Sequence, residues 1–125
     1  MMKYYSVSDS MAENLFIELF TDTFGLEKAG YLYSQYHFYD IHQNCLYTDF
    51  LLENGGKKIA IEIDDEASHN PSLVSRNKFY DGLLKKNSMV YLGWDVYRWV
   101  VHQLQQQTEL VKDELRIFLG QYPYF

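Results

Sequence analysis

The sequence predicts a single α/β domain, residues 1–125, in which helices flank a central mixed β-sheet. Its 125 residues are enough for one substantial hydrophobic core and too few for two domains. Hydrophobic residues make up 47% of the chain, and helix-like and strand-like patterns alternate along it. The predicted order is helix, three strands, helix, strand, helix, which is typical of an α/β domain with a mixed sheet.

The first predicted helix lies between Ser10 and Gly25. Ser10 and Glu13 have the spacing of a capping box, and leucine and phenylalanine residues follow at helical intervals until Gly25 ends the helix. Residues 31–39 are dense in aromatic side chains and are predicted to form a strand or an extended segment.

Two further strands are predicted at residues 47–53 and 58–64. Asn54, Gly55 and Gly56 separate them, and these residue types accept positive φ angles at low cost. The two strands are therefore predicted to form a tight hairpin.

Two helices and a strand complete the predicted fold. Asn70-Pro71 has the pattern of an N-cap with proline at the first helical position, which predicts a helix that extends to about Leu92 or breaks near Asn87. Residues 94–101 are rich in β-branched and aromatic side chains and predict a strand. An amphipathic helix is predicted at about residues 103–119.

Composition argues against several classes of protein. An aromatic content of 18% argues against disorder. The single cysteine, Cys45, cannot form an internal disulfide, fits a reducing compartment and is predicted to be a small buried side chain. The chain has no apolar run long enough to span a membrane and no secretion leader, which predicts a cytoplasmic protein without a membrane partner. A net charge of −6 argues, at first sight, against a nucleic-acid partner.

The strand at residues 58–64 carries carboxylates, which are depleted in strands. Its isoleucines share one face, so Glu62 and Asp64 share the other, about 7 Å apart. Asp49, on the neighbouring strand of the hairpin, can lie beside them. Three such carboxylates repel each other unless a cation lies among them, and hard oxygen ligands suit Mg²⁺ or Mn²⁺. The alternative is a solvated strand face whose charges prevent aggregation at a sheet edge.

Four segments of the chain, in order, resemble the PD-(D/E)xK nuclease superfamily. They are similar to the branch related to very-short-patch repair endonucleases and to nuclease domains fused to helicases, and they cover roughly residues 10–101. The segments are YTDF, IAIEIDDEASHNP, RNKFYDGLLKKN and GWDVYRW. The resemblance implies a restriction endonuclease-like, three-layer core. Two positions depart from the family pattern, because Thr48 replaces the usual proline and Asp64 replaces the lysine that usually follows Glu62 by two residues.

The resemblance implies a metal-dependent DNA endonuclease domain that acts in restriction, phage defence or DNA repair, with Mg²⁺ as cofactor and Mn²⁺ as a substitute. Asp49 and Glu62 are the implied metal ligands. The backbone carbonyl of Ile63 is a further implied ligand, and Glu18 matches a helix glutamate that this branch often places near the metal. Asp64 is expected to bind a second metal or to orient His69.

The absent lysine leaves its role to another residue. His69 is predicted to transfer protons near the metal, and Lys78 in the following helix is the alternative for the lysine's role. Both also have ordinary interpretations, as a loop histidine and as part of a solvated helix face. Arg98, on an otherwise apolar strand, is predicted to pair with a site acid, although it could point outward toward phosphate. The predicted DNA-binding side chains are Arg76, Lys78, Lys85 and Arg98.

Two functions therefore remain open. One is an active Mg²⁺-dependent endonuclease. The other is a catalytically degenerate nuclease-fold module that positions DNA or contacts proteins within a larger helicase-type protein. The resemblance also implies that the chain is the N-terminal part of a larger protein, with a covalently linked helicase or other ATPase domain as its partner.

Overall fold

The computed structural model describes residues 11–64 and 75–125. The elements are, in chain order, α1 (Met11–Phe24), α2 (Leu26–Ala29), β1 (Tyr33–Tyr39), β2 (Cys45–Asn54), β3 (Lys57–Asp64), α3 (Arg76–Tyr91), β4 (Asp95–Val100), α4 (Val101–Gln106) and α5 (Thr108–Gly120). None of the helices in these two stretches is long and apolar enough to cross a membrane.

The four strands form one sheet in the order β1-β2-β3-β4. β1 pairs with β2 and β2 with β3 in antiparallel fashion, whereas β3 and β4 are parallel. The parallel pair follows from the chain passing through α3 before it returns to the sheet. The predicted fold class, a mixed sheet flanked by helices, is confirmed.

Helices pack against both faces of the sheet. The isoleucines of β3 lie in a core with residues of α1, α4 and α5, such as Phe16, Leu104 and Leu115. Ala60, on the opposite face of β3, packs with Met89 of α3. The alternation of faces along β3 therefore directs Glu62 and Asp64 toward the side that α3 covers, as the isoleucine pattern predicts.

The β2–β3 hairpin forms as predicted. Gly55 and Gly56 have φ angles of 59° and 86°, in the region that glycine enters at low cost. Gly25, at φ 98°, ends α1 as predicted, although the short helix α2 follows it at once and was not expected.

Two helices differ from the sequence-based expectations. α3 begins at Arg76, because Ser75 is extended and its side chain caps the helix by accepting a hydrogen bond from the Lys78 N–H. The predicted start at Asn70-Pro71 lies outside the described residues. The last helix is divided in two at Gln107, whose backbone (φ −128°, ψ 41°) leaves the helical region although no glycine or proline marks the position.

Cys45 is exposed, so the prediction of a buried side chain is wrong. Cys45 is the first residue of β2 and pairs with Tyr39, the last residue of β1. The pair lies at the ends of the two strands, and the Cys45 thiol is not covered by the part of the chain that the structure describes. Its Sγ atom instead lies 3.8 Å from Nδ1 of His37.

Candidate metal centre

Asp49 and Glu62 face each other where the β2–β3 backbone ladder ends. Backbone pairing runs from Asn54–Lys57 to Phe50–Ile61. Beyond it, the carboxylates take over as hydrogen-bond acceptors: the Asp49 N–H donates to Glu62 Oε2 (2.9 Å), and the Ile63 N–H donates to Asp49 Oδ2 (2.8 Å). The predicted approach of the two acids across the hairpin is therefore confirmed, and backbone donors fix both side chains.

Asp64 completes a cluster of three carboxylates. Asp49, Glu62 and Asp64 each offer an oxygen, and the three oxygens lie within 4.8 Å of one another. Glu62 is 2% exposed, while the other two acids are half-buried. A cluster of this size and composition could hold a metal ion, since carboxylate oxygens are the ligands that hard divalent cations take.

Every oxygen of the Glu62 carboxylate has a protein partner. The buried Thr48 hydroxyl donates to Oε2 over 2.7 Å, and the same oxygen accepts the Asp49 N–H. Oε1 forms an ion pair of 2.6 Å with Nζ of Lys85, which reaches the cluster from α3. These contacts hold the Glu62 side chain in one position, as a metal ligand requires.

The ammonium group of Lys85 also lies over an aromatic ring. Its Nζ is 5.5 Å from the centroid of the Tyr47 ring, a distance at which a cation and a ring face attract each other. Lys85 was predicted as a DNA contact, and the structure places it inside the acid cluster. In the sequence, the spacing of Lys78 and Lys85 indicates that both lie on one face of the helix. Which of the two lysines reaches the acids depends on how α3 crosses the sheet.

Burial, and after it the nearby negative charge of Glu62, raise the pKa of Asp49 to about 7. The Ile63 N–H and the Lys85 ammonium act in the opposite direction but do not compensate. Without a cation, Asp49 is therefore protonated in about half of the molecules near pH 7. A divalent cation would take the place of this proton, so the donor set fits a metal.

Two cavities contain residues of the cluster in their walls. One, of about 310 Å³, is lined by Tyr47 and Asp49 and includes Ile63, whose carbonyl was predicted as a ligand. The other, of about 300 Å³ and called the cationic cavity below, is lined by four basic side chains and by the acids Glu62, Asp64 and Asp81. Glu62, Asp64 and Lys85 line both cavities.

The cationic cavity brings together three of the four predicted DNA contacts. Its basic side chains are Lys78, Lys85, Lys86 and Arg98. Arg76 is exposed in the first turn of α3 and does not line the cavity. Lys86, which was not among the predicted site residues, follows Lys85 directly on α3.

Arg98 does not form the predicted ion pair with a site acid. It lies beside Glu62 in the β3–β4 register, but no acid within residues 11–64 and 75–125 forms an ion pair with it. The physical reason is that Lys85 already occupies the free oxygen of Glu62. The Nε atom of Arg98 is buried without a hydrogen-bond partner in the described part of the chain.

Glu18 is exposed on α1 and does not belong to the acid cluster. Instead, Glu13 is the α1 acid whose charge acts on Asp49, and its carboxylate accepts hydrogen bonds from the side chains of Ser34 and Gln35. Five helical positions separate the two glutamates, which places them on different faces of the helix. The helix phase fixed by buried Phe16 and Phe20 could have distinguished them. His69 lies outside the described residues.

Comparisons of the chain with protein-family models, with curated proteins and with solved structures found no match. Any functional assignment therefore depends on the geometry of the acid cluster and of the cations around it.

Proposed function

We propose that the chain is a metal-dependent DNA endonuclease domain of the PD-(D/E)xK type, in which Lys85 takes the role of the lysine that is missing at position 64. The observation that carries this proposal is the 2.6 Å contact between Lys85 Nζ and Glu62 Oε1 within a cluster of three carboxylates. The combination supplies metal ligands and a positive charge at one point, as phosphodiester hydrolysis requires.

The three carboxylates have the task of holding Mg²⁺, with Mn²⁺ as a substitute. When bound, the metal supplies polarisation of a phosphoryl oxygen and lowers the pKa of a neighbouring water. The Thr48 hydroxyl and the Asp49 N–H keep Glu62 oriented for this task. Asp49 must lose its proton before it can act as a ligand, because the metal binds the carboxylate form.

Lys85 has two tasks beside this cluster. Its ammonium can orient the attacking water by hydrogen bonding, and it can offset the negative charge that develops on the phosphate in the transition state. The ion pair with Glu62 and the Tyr47 ring position the ammonium in advance, so little reorganisation is needed when the substrate arrives. In this proposal the lysine comes from helix α3, whereas the PD-(D/E)xK pattern places it on the strand that corresponds to β3.

The cationic cavity is the proposed path of the DNA backbone. Lys78, Lys86 and Arg98 place positive charge beside the acids, where a phosphate must approach. The Nε of Arg98 has no hydrogen-bond partner among residues 11–64 and 75–125, and it can donate to a phosphate oxygen. The net charge of −6 opposes DNA over the rest of the surface, so we expect weak affinity from this domain and a helicase or other ATPase partner domain that strengthens it.

The test is cleavage of supercoiled plasmid in Mg²⁺, in Mn²⁺ and in EDTA. We expect nicked and linear products with either metal and none in EDTA, and loss of both products for Asp49→Asn. The matched control is Asp113→Asn, which removes an exposed carboxylate on α5. Absence of cleavage together with absence of Mn²⁺ binding by calorimetry would instead support a degenerate module that positions DNA or contacts proteins.

A further inference from the structure

A larger cavity lies beside the proposed nuclease site and has no role in the mechanism above. It has a volume of about 510 Å³ and lies between β1, the loop that follows β1, and the last turns of α3. Six of the side chains that line it are aromatic: Tyr36, His37, Phe38, Tyr39, Tyr91 and Trp94. The volume lies in the range of sites that take small organic molecules.

Ser88 of α3 lines this cavity and offers an unused hydroxyl. The residue is 1% exposed, and its Oγ has no hydrogen-bond partner among the described residues. A serine within a helix commonly bonds to the carbonyl four residues before it, and Ser88 does not. Since buried hydroxyls in proteins are ordinarily satisfied, this hydroxyl is available to bond to the polar edge of a ligand in the cavity.

The aromatic walls combine a fixed ring with exposed ones. The Trp94 ring packs against those of Phe38 and Tyr36, at centroid distances of 5.0 and 5.9 Å, and is held in place by them. Tyr91 and Tyr39, at the rim, are 78% and 61% exposed. A flat ligand can therefore enter past the exposed rings and stack on rings that are already in position.

The cavity adjoins the acid cluster. Ser88 follows Lys85 by three positions on α3, a rise of about 4.5 Å along the helix axis. On the β-sheet side, the His37 ring in the cavity wall lies 6.0 Å from the ring of Tyr47, which contacts Lys85. A strand whose phosphate lies at the acid cluster therefore has its neighbouring nucleotides within reach of the cavity.

We propose that this cavity binds an unpaired nucleobase of a single-stranded DNA segment next to the scissile phosphate; this inference rests on the proposed nuclease function. Bases are planar and stack on aromatic side chains irrespective of sequence, while their polar edges hydrogen-bond to groups such as the Ser88 hydroxyl. A base inside a duplex is stacked and paired and cannot enter. The preferred substrate is therefore a single strand, a flap or a duplex end that exposes an unpaired base.

The test is the affinity of the full chain for a fluorescently labelled single-stranded DNA oligonucleotide, measured by anisotropy with Ca²⁺ in place of Mg²⁺. Tyr91→Ala and Ser88→Ala are the test variants. Tyr124→Ala is the matched control, because Tyr124 is 72% exposed and packs beside Gly55 at the β2–β3 hairpin. We expect Tyr91→Ala to weaken binding about fivefold or more, because the stacking of one base is lost. Ser88→Ala should weaken binding less.

A second probe of the same length, with abasic deoxyribose phosphates, isolates the contribution of the bases. We expect wild type and Tyr91→Ala to bind this probe equally. The inference is overturned if both test variants bind the normal single strand like wild type, or if Tyr91→Ala weakens the abasic probe to the same extent. It is also overturned if Tyr91→Ala converts a dimer into a monomer in solution, because the cavity rim would then be a self-association surface.

The two proposals can fail separately. If the plasmid is cleaved in a metal-dependent way but single-strand binding does not depend on Tyr91 and Ser88, the base-binding proposal is refuted and the nuclease proposal is supported. If single-strand binding depends on Tyr91 but no metal-dependent cleavage occurs, the nuclease proposal is refuted and the cavity still binds a base.

Discussion

The ammonium of Lys85 on α3 lies 2.6 Å from the carboxylate of Glu62 on β3. The strand itself carries Asp64 where a lysine would supply this charge, and Asp64 has the opposite sign. In the proposed nuclease, Lys85 on α3 therefore supplies the positive charge that the PD-(D/E)xK pattern would place at position 64. The proposal that the acid cluster is a hydrolytic site depends on this contact.

Glu62 has a structural role in addition to its proposed metal-binding role. We expect Glu62→Ala to lower the free energy of unfolding in EDTA by about 2–3 kcal/mol, because the Thr48 hydroxyl, the Asp49 N–H and the Lys85 ammonium lose their shared acceptor. Urea unfolding measures the change. Glu62→Gln, which keeps an acceptor for Thr48 and Asp49, should cost less. Equal stability of Glu62→Ala and wild type would contradict the contacts described here.

Asp49 should make the stability of the metal-free protein depend on pH. Its pKa is about 7 in the folded state and near 3.8 in the unfolded chain. Between these two pH values the folded state binds more protons than the unfolded state, so the free energy of unfolding falls as the pH rises toward 7. Above pH 7 it falls no further on account of Asp49, and the whole loss remains. Below both values Asp49 contributes nothing. The loss amounts to at most about 1.4 kcal/mol per pH unit.

The Asp49→Asn variant has no ionisable group at this position, so its free energy of unfolding should not fall with pH for this reason. The free energy of unfolding in EDTA, measured for both proteins from pH 4 to 8, should therefore diverge in favour of the variant until about pH 7 and stay parallel above it. A constant difference over the whole range would show that Asp49 ionises at its ordinary pKa.

The affinity for Mn²⁺ should depend on the same proton. Below about pH 7 each unit of pH should weaken binding about tenfold, because Asp49 must release its proton to become a ligand. Calorimetry in buffers of different ionisation enthalpy measures both the affinity and the released proton. Asp49→Asn should lose most of the affinity, and Asp113→Asn, on exposed α5, should retain it. Affinity independent of pH from 5 to 7 would contradict this assignment.

The acid cluster could be predicted from the sequence because its causes are local. Alternating isoleucines fix which face Glu62 and Asp64 occupy, and the glycines after Asn54 fix the hairpin that brings Asp49 opposite. Both signals act over a few residues. Because successive side chains of a strand point to opposite faces of the sheet, the pattern also shows which face each residue occupies.

The cationic part of the site depends on long-range packing and could not be derived in the same way. Lys85 reaches Glu62 because Met89, one turn later, is buried against Leu51 and Ala60 and fixes the path of α3 across the sheet. The sequence shows that Lys78 and Lys85 share a helix face, but not which one meets the acids. By contrast, the distinction between Glu13 and Glu18 depends on the rotation of α1 about its axis, which the positions of the apolar residues Phe16 and Phe20 indicate.

Three residues compete for the role of the missing lysine, and single substitutions separate them. We expect Lys85→Met to lower the cleavage rate at least about tenfold. Lys78→Met should mainly weaken DNA binding, as loss of one phosphate contact does, with the rate at saturating DNA nearly unchanged. His69→Ala tests the earlier prediction for that residue in the same assay, and a larger loss there than for Lys85→Met would return the role to the histidine.

The most direct measurement is the single-turnover rate of plasmid cleavage in saturating Mg²⁺ for Lys85→Met against Lys112→Met. Lys112 is the matched control because it is similarly buried and paired with acids, but on α5, away from the cluster. We expect the Lys85 variant to lose at least about tenfold in rate, with Mn²⁺ affinity retained, and the Lys112 variant to cleave like wild type. Wild-type cleavage by Lys85→Met would contradict the proposal that α3 supplies the lysine.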